Sequence, residues 1–133
     1  MMFAPPKKVE LESLHIPATS ETPEVNLVAD GGLSRIEGKS LPENAFEFYE
    51  PVVLWMRQFA LRADTPLMLE LKFDYFNSSS GRYLFEILNI LEQSRHKQSY
   101  RIIWRCDKDD ELMIDKGEEL KSLIDVPFEV KVV

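Results

Sequence analysis

The chain has 133 residues, of which 44% are hydrophobic and 29% charged, a balance that allows one buried core and lacks the low-apolar, high-charge signature of a disordered chain. Its 23 acidic and 16 basic side chains leave a formal net charge of −7, which opposes binding to nucleic-acid backbones or anionic lipid. A single cysteine, Cys106, rules out an intrachain disulfide, and no apolar run approaches the roughly 20 residues needed to cross a bilayer.

Residues 1–10, with Pro5, Pro6 and the charged Lys7, Lys8 and Glu10, read as a loosely held lead-in to a single domain over residues 11–133. The opening has no hydrophobic region of signal-peptide length, so a reducing, cytoplasmic setting is expected. Leu11 to Ile16 reads as a short strand ended by Pro17. Val25, Leu27 and Ala29 alternate with Asn26 and Val28. Asp30-Gly31-Gly32 then offers a turn, and Leu33, Arg35 and Glu37 alternate with Ser34 and Ile36, which together predict a β-hairpin.

Ser40 is a candidate cap for the helical pattern that Pro42-Glu43-Asn44 opens, in which Ala45, Tyr49, Val52, Met56, Phe59 and Ala60 share one face. Pro51 falls inside it, predicting either a kink or a helix starting near Glu50. Asp64-Thr65-Pro66 breaks this helix, and the segment from Leu67 to Phe76 alternates apolar with charged residues as a strand does. Asn77-Ser78-Ser79-Ser80-Gly81-Arg82 follows. Leu84, Ile87, Leu88 and Leu91 then mark an amphipathic helix, so the serines sit where a strand passes into a helix. Tyr100 to Cys106 reads as a strand, Asp109 to about Ser122 as a helix weakened by Gly117, and Phe128 to Val133 as a last strand. A hairpin followed by alternating helices and strands predicts a mostly parallel sheet with its three helices on one face, and Glu70, Lys72 and Asp74 facing the other way.

Little in the chain suggests catalysis. His15, His96 and Cys106 lack paired metal-ligand spacing, and no phosphate-cradling or nucleophile-elbow motif is present, so neither metal nor cofactor is expected. The acidic run Asp107-Lys108-Asp109-Asp110-Glu111 is explained by a helix N-terminus. The basic positions Arg95, His96, Lys97, Arg101 and Arg105 read as solvated sites at a helix end and on a strand. A serine nucleophile with His15 or His96 as base has no activating neighbour in the sequence. The serine run remains. Capping accounts for one of Asn77, Ser78 and Ser79. A phosphate at the same junction would add about −1.5 to −2 charges and three acceptor oxygens, enough to repel or recruit a partner.

Three blocks of sequence resemble the SiaC family of bacterial regulatory phosphoproteins over about residues 12–130. They are Leu14-His15-Ile16-Pro17-Ala18-Thr19 with Thr22-Pro23-Glu24-Val25; Gly38 with Pro42-Glu43-Asn44 through Phe48-Tyr49, Pro51 and Trp55; and Tyr75-Phe76-Asn77-Ser78-Ser79-Ser80. The resemblance implies an α/β, two-layer STAS-like mixed sheet, akin to anti-anti-sigma factors, with helices mainly on one face. It also implies a partner switch and not an enzyme. The family motif reads Tyr-x-Asn-Thr-Ser-Ser, and its phosphorylated position corresponds to Ser78, with Asn77, Ser79, Ser80 and Arg82 in the switch region. Gly81 stands where the family usually has a larger side chain. The partners implied are a serine/threonine kinase, a metal-dependent phosphatase, and a diguanylate cyclase activated by the unphosphorylated form, which links the chain to cyclic di-GMP and biofilm formation. The residues alone leave open a constitutive interaction scaffold, with Trp55 or Tyr83 as an anchor, or an anti-anti-sigma-like module acting on a different partner.

Overall fold

The computed structural model describes residues 10–62, 65–96 and 99–133. Apart from Glu10, the expected lead-in therefore lies outside the described residues, as do Asp64 and Lys97. Segments with a period of two form six strands: β1 (Leu14–Ile16), β2 (Glu24–Leu27), β3 (Leu33–Ser40), β4 (Leu67–Phe76), β5 (Tyr100–Cys106) and β6 (Phe128–Val132). Segments with a period near 3.6 form α1 (Ala45–Ala60), α2 (Ser78–Gln93) and α3 (Glu111–Leu123).

The strands lie in one sheet in the order β1-β2-β3-β4-β5-β6. The first two pairings are antiparallel and the last three parallel. Each parallel step is bridged by one helix, and successive crossovers in the same direction place the helices on one face. Leu67, Leu69, Leu71 and Phe73 on β4, with Ile102 and Trp104 on β5, point into that layer and are buried. There they meet Tyr49, Met56 and Phe59 of α1 and Leu84, Leu88 and Leu91 of α2. Each fully buried side chain of this size contributes about 1.5–3 kcal/mol relative to exposure.

The opposite face of the sheet is polar, as the alternation predicts, with one difference: Glu70 is only 5% exposed. Arg35 on β3 and Arg105 on β5 each bring Nε within 3.5 and 3.4 Å of its Oε1. Both Nε atoms are buried against the carboxylate, while the two arginine side chains remain partly exposed. Two further arginines of the Arg95–Arg105 stretch are also engaged. Arg95 pairs with Asp125 and Arg101 with Glu129, so these described arginines are not gathered into a free anion-binding patch.

The start of α1 corrects the sequence reading at two points. The cap of α1 is Asn44, whose side chain accepts the Glu47 N–H at 3.0 Å; Ser40 instead ends β3 and is fully buried. The helix runs through Pro51 and does not begin near Glu50. Pro51 and Glu47 both face solvent, so water can serve the Glu47 carbonyl that the proline leaves without a donor. Gly117 in α3 reflects a close approach. A Cβ there would collide with Cδ1 of Trp104, whose indole N–H donates to the Met113 carbonyl at 2.9 Å.

Candidate functional site at the strand-to-helix junction

The serine run lies where β4 ends and α2 begins, and a backbone irregularity in the neighbouring strand shapes the junction. Gly38 has a φ of +128°, a conformation that favours glycine, and the β3–β4 register shifts between Gly38 and Lys39. This bulge sets Ser40 opposite Phe76. The Ser40 carbonyl then accepts the Asn77 N–H at 3.2 Å, tying the end of β3 to the first residue beyond β4.

Asn77 is the N-cap of α2. Its φ and ψ are −82° and 171°, and its side-chain oxygen accepts the Ser80 N–H at 2.9 Å. The capping role that the sequence left open among three residues therefore belongs to Asn77, and Ser78 and Ser79 are released from it. Both are exposed. Gly81 does not disturb the helix start. A Cβ there would stand 3.2 Å from Cε2 of Phe76, so the glycine admits the Phe76 ring beneath the first turn.

Ser80 has the opposite environment. It is fully buried, its hydroxyl donates to the Ser40 carbonyl at 3.1 Å, and it accepts from the Ser40 hydroxyl at 2.9 Å. Since Ser40 has only one hydroxyl proton, the 2.6 Å contact between Ser40 Oγ and Tyr49 Oη is donated by the tyrosine. The result is a directed chain from Tyr49 to Ser40 to Ser80 to the Ser40 carbonyl. Burial pushes the Tyr49 hydroxyl above its ordinary pKa, and the neighbouring Ser40 and Ser80 hydroxyls offset part of that rise. Tyr49 also stacks on Tyr83 of α2, with ring centroids 5.6 Å apart.

Ser78 stands at the mouth of a cleft. Along one flank α2 packs closely against α1, whereas on the other it diverges from α3. The gap encloses about 300 Å³, lined by Phe76, Leu84 and Phe85 on one side and Lys116, Leu120 and Leu123 on the other. Phe85 and Leu123 are 43% and 56% exposed. Lys116 lies 3.8 Å from Glu119, an exposed and weakly constrained pair. Arg82 is exposed one turn after Ser78, on the same helix face.

The other candidates do not converge on this junction. His15 is exposed on β1, separated from β4 by β2 and β3. His96 follows the far end of α2, about 24 Å from Ser78 by helix rise, so neither histidine is placed to serve as its base. Trp55 is buried, with its indole N–H donated to the Glu12 carbonyl at 2.8 Å, and Tyr83 is half-buried against Tyr49. Neither is an exposed anchor. Asp110 caps α3 by accepting the Met113 N–H at 3.2 Å, with Glu111 in the first turn, as the acidic run predicts. Among the described residues no three His, Cys, Asp or Glu side chains converge as a metal site would require, and no helix is long and apolar enough to cross a membrane.

Sequence reasoning did not anticipate the Ser40–Tyr49 partnership or the α2–α3 cleft. A signal for the first exists: Ser34, Ile36 and Ser40 fall on the buried period of β3, and a buried hydroxyl needs a partner. The cleft depends on the angle between two helices, which no residue pattern announces.

Comparison with known proteins adds three findings. The family model described as SiaC family regulatory phosphoprotein matches residues 16–133. An uncharacterized protein of Pseudomonas aeruginosa strain UCBPP-PA14 is 30% identical over 122 residues, covering 91% of this chain and 97% of its own length. Among solved structures, apo-SiaC from Pseudomonas aeruginosa is 28% identical, with a TM-score of 0.82 over 91% of this chain and 99% of its own. The SiaC that activates the diguanylate cyclase SiaD, solved in complex with it, is 30% identical, with a TM-score of 0.85 over 90% of this chain and 99% of its own.

Proposed function

The chain belongs to the SiaC family of regulatory phosphoproteins, and from that premise we propose that it is a non-enzymatic partner switch whose unphosphorylated form binds and activates a diguanylate cyclase. In this reading a serine/threonine kinase phosphorylates Ser78, a metal-dependent phosphatase reverses the modification, and the chain acts in the cytoplasm as one domain over residues 11–133. The cyclase partner rests on a relative's complex. The observation that carries the switch is local: Asn77 takes the cap, leaving Ser78 exposed at the mouth of an apolar cleft.

The physical consequence of phosphorylation follows from that placement. A surface that buries apolar groups in the cleft would have to desolvate a neighbouring phosphate, with about −1.5 to −2 charges, or meet it with a basic group. A partner without such a group is released. A partner bearing arginines would gain charge-assisted hydrogen bonds instead, so the same residue can exchange one partner for another.

The test is cyclic di-GMP synthesis by a diguanylate cyclase of the same host, with the purified chain added either unmodified or phosphorylated on Ser78. Activation by the unmodified chain and its loss on phosphorylation are expected. Equal activation by both forms would show that Ser78 does not control this output, and no activation by either would remove the cyclase from the proposal.

A further inference from the structure

Three consecutive serines follow Asn77, yet the fold treats them differently. Ser78 and Ser79 are exposed, while Ser80, Ser40 and Tyr49 are each fully buried and joined by their hydroxyls. Packing alone does not require oxygen at these positions, since alanine and phenylalanine would fill most of the same volume without burying polar groups. Buried hydroxyls carry a desolvation cost unless they are paired, and once paired they favour one geometry. This set spans the end of β3, the second turn of α1 and the first turn of α2.

We propose that Ser80, Ser40 and Tyr49 are positioning residues that select Ser78 as the phosphoacceptor. The inference rests on the reading of Ser78 as the modified residue and adds how the site is chosen. Successive helix residues are offset by about 100°, so holding the Ser80 side chain inward fixes the directions of the other two. Ser78 faces the α2–α3 cleft beside Gly81 and Phe85, and Ser79 lies off it. The backbone is held at the same point, through Asn77 N–H to the Ser40 carbonyl and Gly81 N–H to the Asn77 carbonyl at 2.9 Å. Ser80 itself has no solvent-facing surface to offer a kinase. Without the hydroxyl chain, the first turn of α2 loses its fixed rotation relative to β3, and Ser78 and Ser79 become interchangeable.

The experiment expresses wild type, Ser80→Ala, Tyr49→Phe and Ile87→Val in the chain's own host and maps phosphate by peptide mass spectrometry. Amide hydrogen exchange is followed across residues 77–93 of the same proteins. Ile87→Val trims the buried face of the same helix without touching a hydroxyl, and Tyr49→Phe removes a single oxygen, so a folded variant is available if Ser80→Ala is not. Wild type and Ile87→Val are expected to carry phosphate on Ser78 alone. In Ser80→Ala and Tyr49→Phe, phosphate on Ser78 is expected to fall at least tenfold or to be shared with Ser79, with exchange at the hydrogen-bonded amides of Ser80 and Gly81 accelerating at least tenfold relative to residues 84–91. Phosphate on Ser78 alone at the wild-type level in both hydroxyl variants would overturn the proposal, as would phosphate on Ser80. Wild type lacking phosphate on Ser78 under every growth condition would instead refute the acceptor assignment, and exchange unchanged by the hydroxyl variants would then refute the positioning role separately.

Discussion

The β4–α2 and β5–α3 junctions pass a strand into a helix with the same capping contact, a side-chain oxygen accepting the N–H three residues on, and with different charge. At β5–α3 the cap is Asp110 and the first turn holds Glu111, so negative charge is permanently present where the helix dipole favours it. At β4–α2 the cap is the neutral Asn77 and the first turn has no acidic residue, whereas α1 has Glu47 in its first turn. Ser78 and Ser79 occupy the positions where the acid would stand. One junction carries constant charge, and the other is, on the proposed reading of Ser78, the place where charge is added and removed. The flanks differ as well, because α3 is pinned to β5 through Trp104 while Ser78 opens onto a cleft.

A glycine-to-alanine change separates the two helices most strongly. Gly117→Ala forces Trp104 away from α3 and is expected to cost about 1–3 kcal/mol by overpacking, measured by urea denaturation. Gly81→Ala asks only that the Phe76 ring yield by a few tenths of an ångström, and its loss should be well below that of Gly117→Ala. Equal losses would mean that the first turn of α2 is as tightly fitted as the centre of α3. Next in size are the caps. Asn77→Ala and Asp110→Ala should each cost about 1 kcal/mol, and only the Asp110→Ala loss should shrink as salt is added to the same titration, because salt screens the wild-type carboxylate.

Smaller still is the charge difference itself. Ser78→Asp should stabilise the fold by about 0.3–1 kcal/mol at low ionic strength, and Glu111→Gln should lose a similar amount; no gain at Ser78 would mean that the α2 terminus does not lack charge. The hydroxyl chain makes no difference of this kind at neutral pH and shows itself in alkali. Because the Tyr49 pKa is raised above its ordinary value, the stability from its buried neutral phenol is fully present below about pH 10 and is lost as pH rises through the higher folded value. Tyr49→Phe should therefore flatten the alkaline limb of the stability profile.

Most of the architecture was legible because the two periodicities are clean. Leu84, Ile87, Leu88 and Leu91 mark the buried face of α2, and the odd residues from Leu67 to Phe73 mark the inward face of β4. The misread points depended on contacts distant in sequence. Ser40 has the composition of a cap but the burial of a core residue, because the Gly38 bulge delivers it to Tyr49 and Ser80. Gly117 has the propensity of a helix breaker, and only the indole pressing against it explains its presence. Glu70 lies in an alternating polar row, yet two arginines from neighbouring strands cover it. At the site, the motif placed the serines at a helix start, but only the three-dimensional cap distinguishes exposed Ser78 from buried Ser80.

The most direct test is intact-protein mass spectrometry with peptide mapping on the chain purified from its own host, before and after phosphatase treatment, alongside Ser78→Ala. The account predicts one phosphate on Ser78, removed by the phosphatase and absent from the variant. An unmodified chain under every growth condition, or a phosphate that persists in Ser78→Ala, would contradict it.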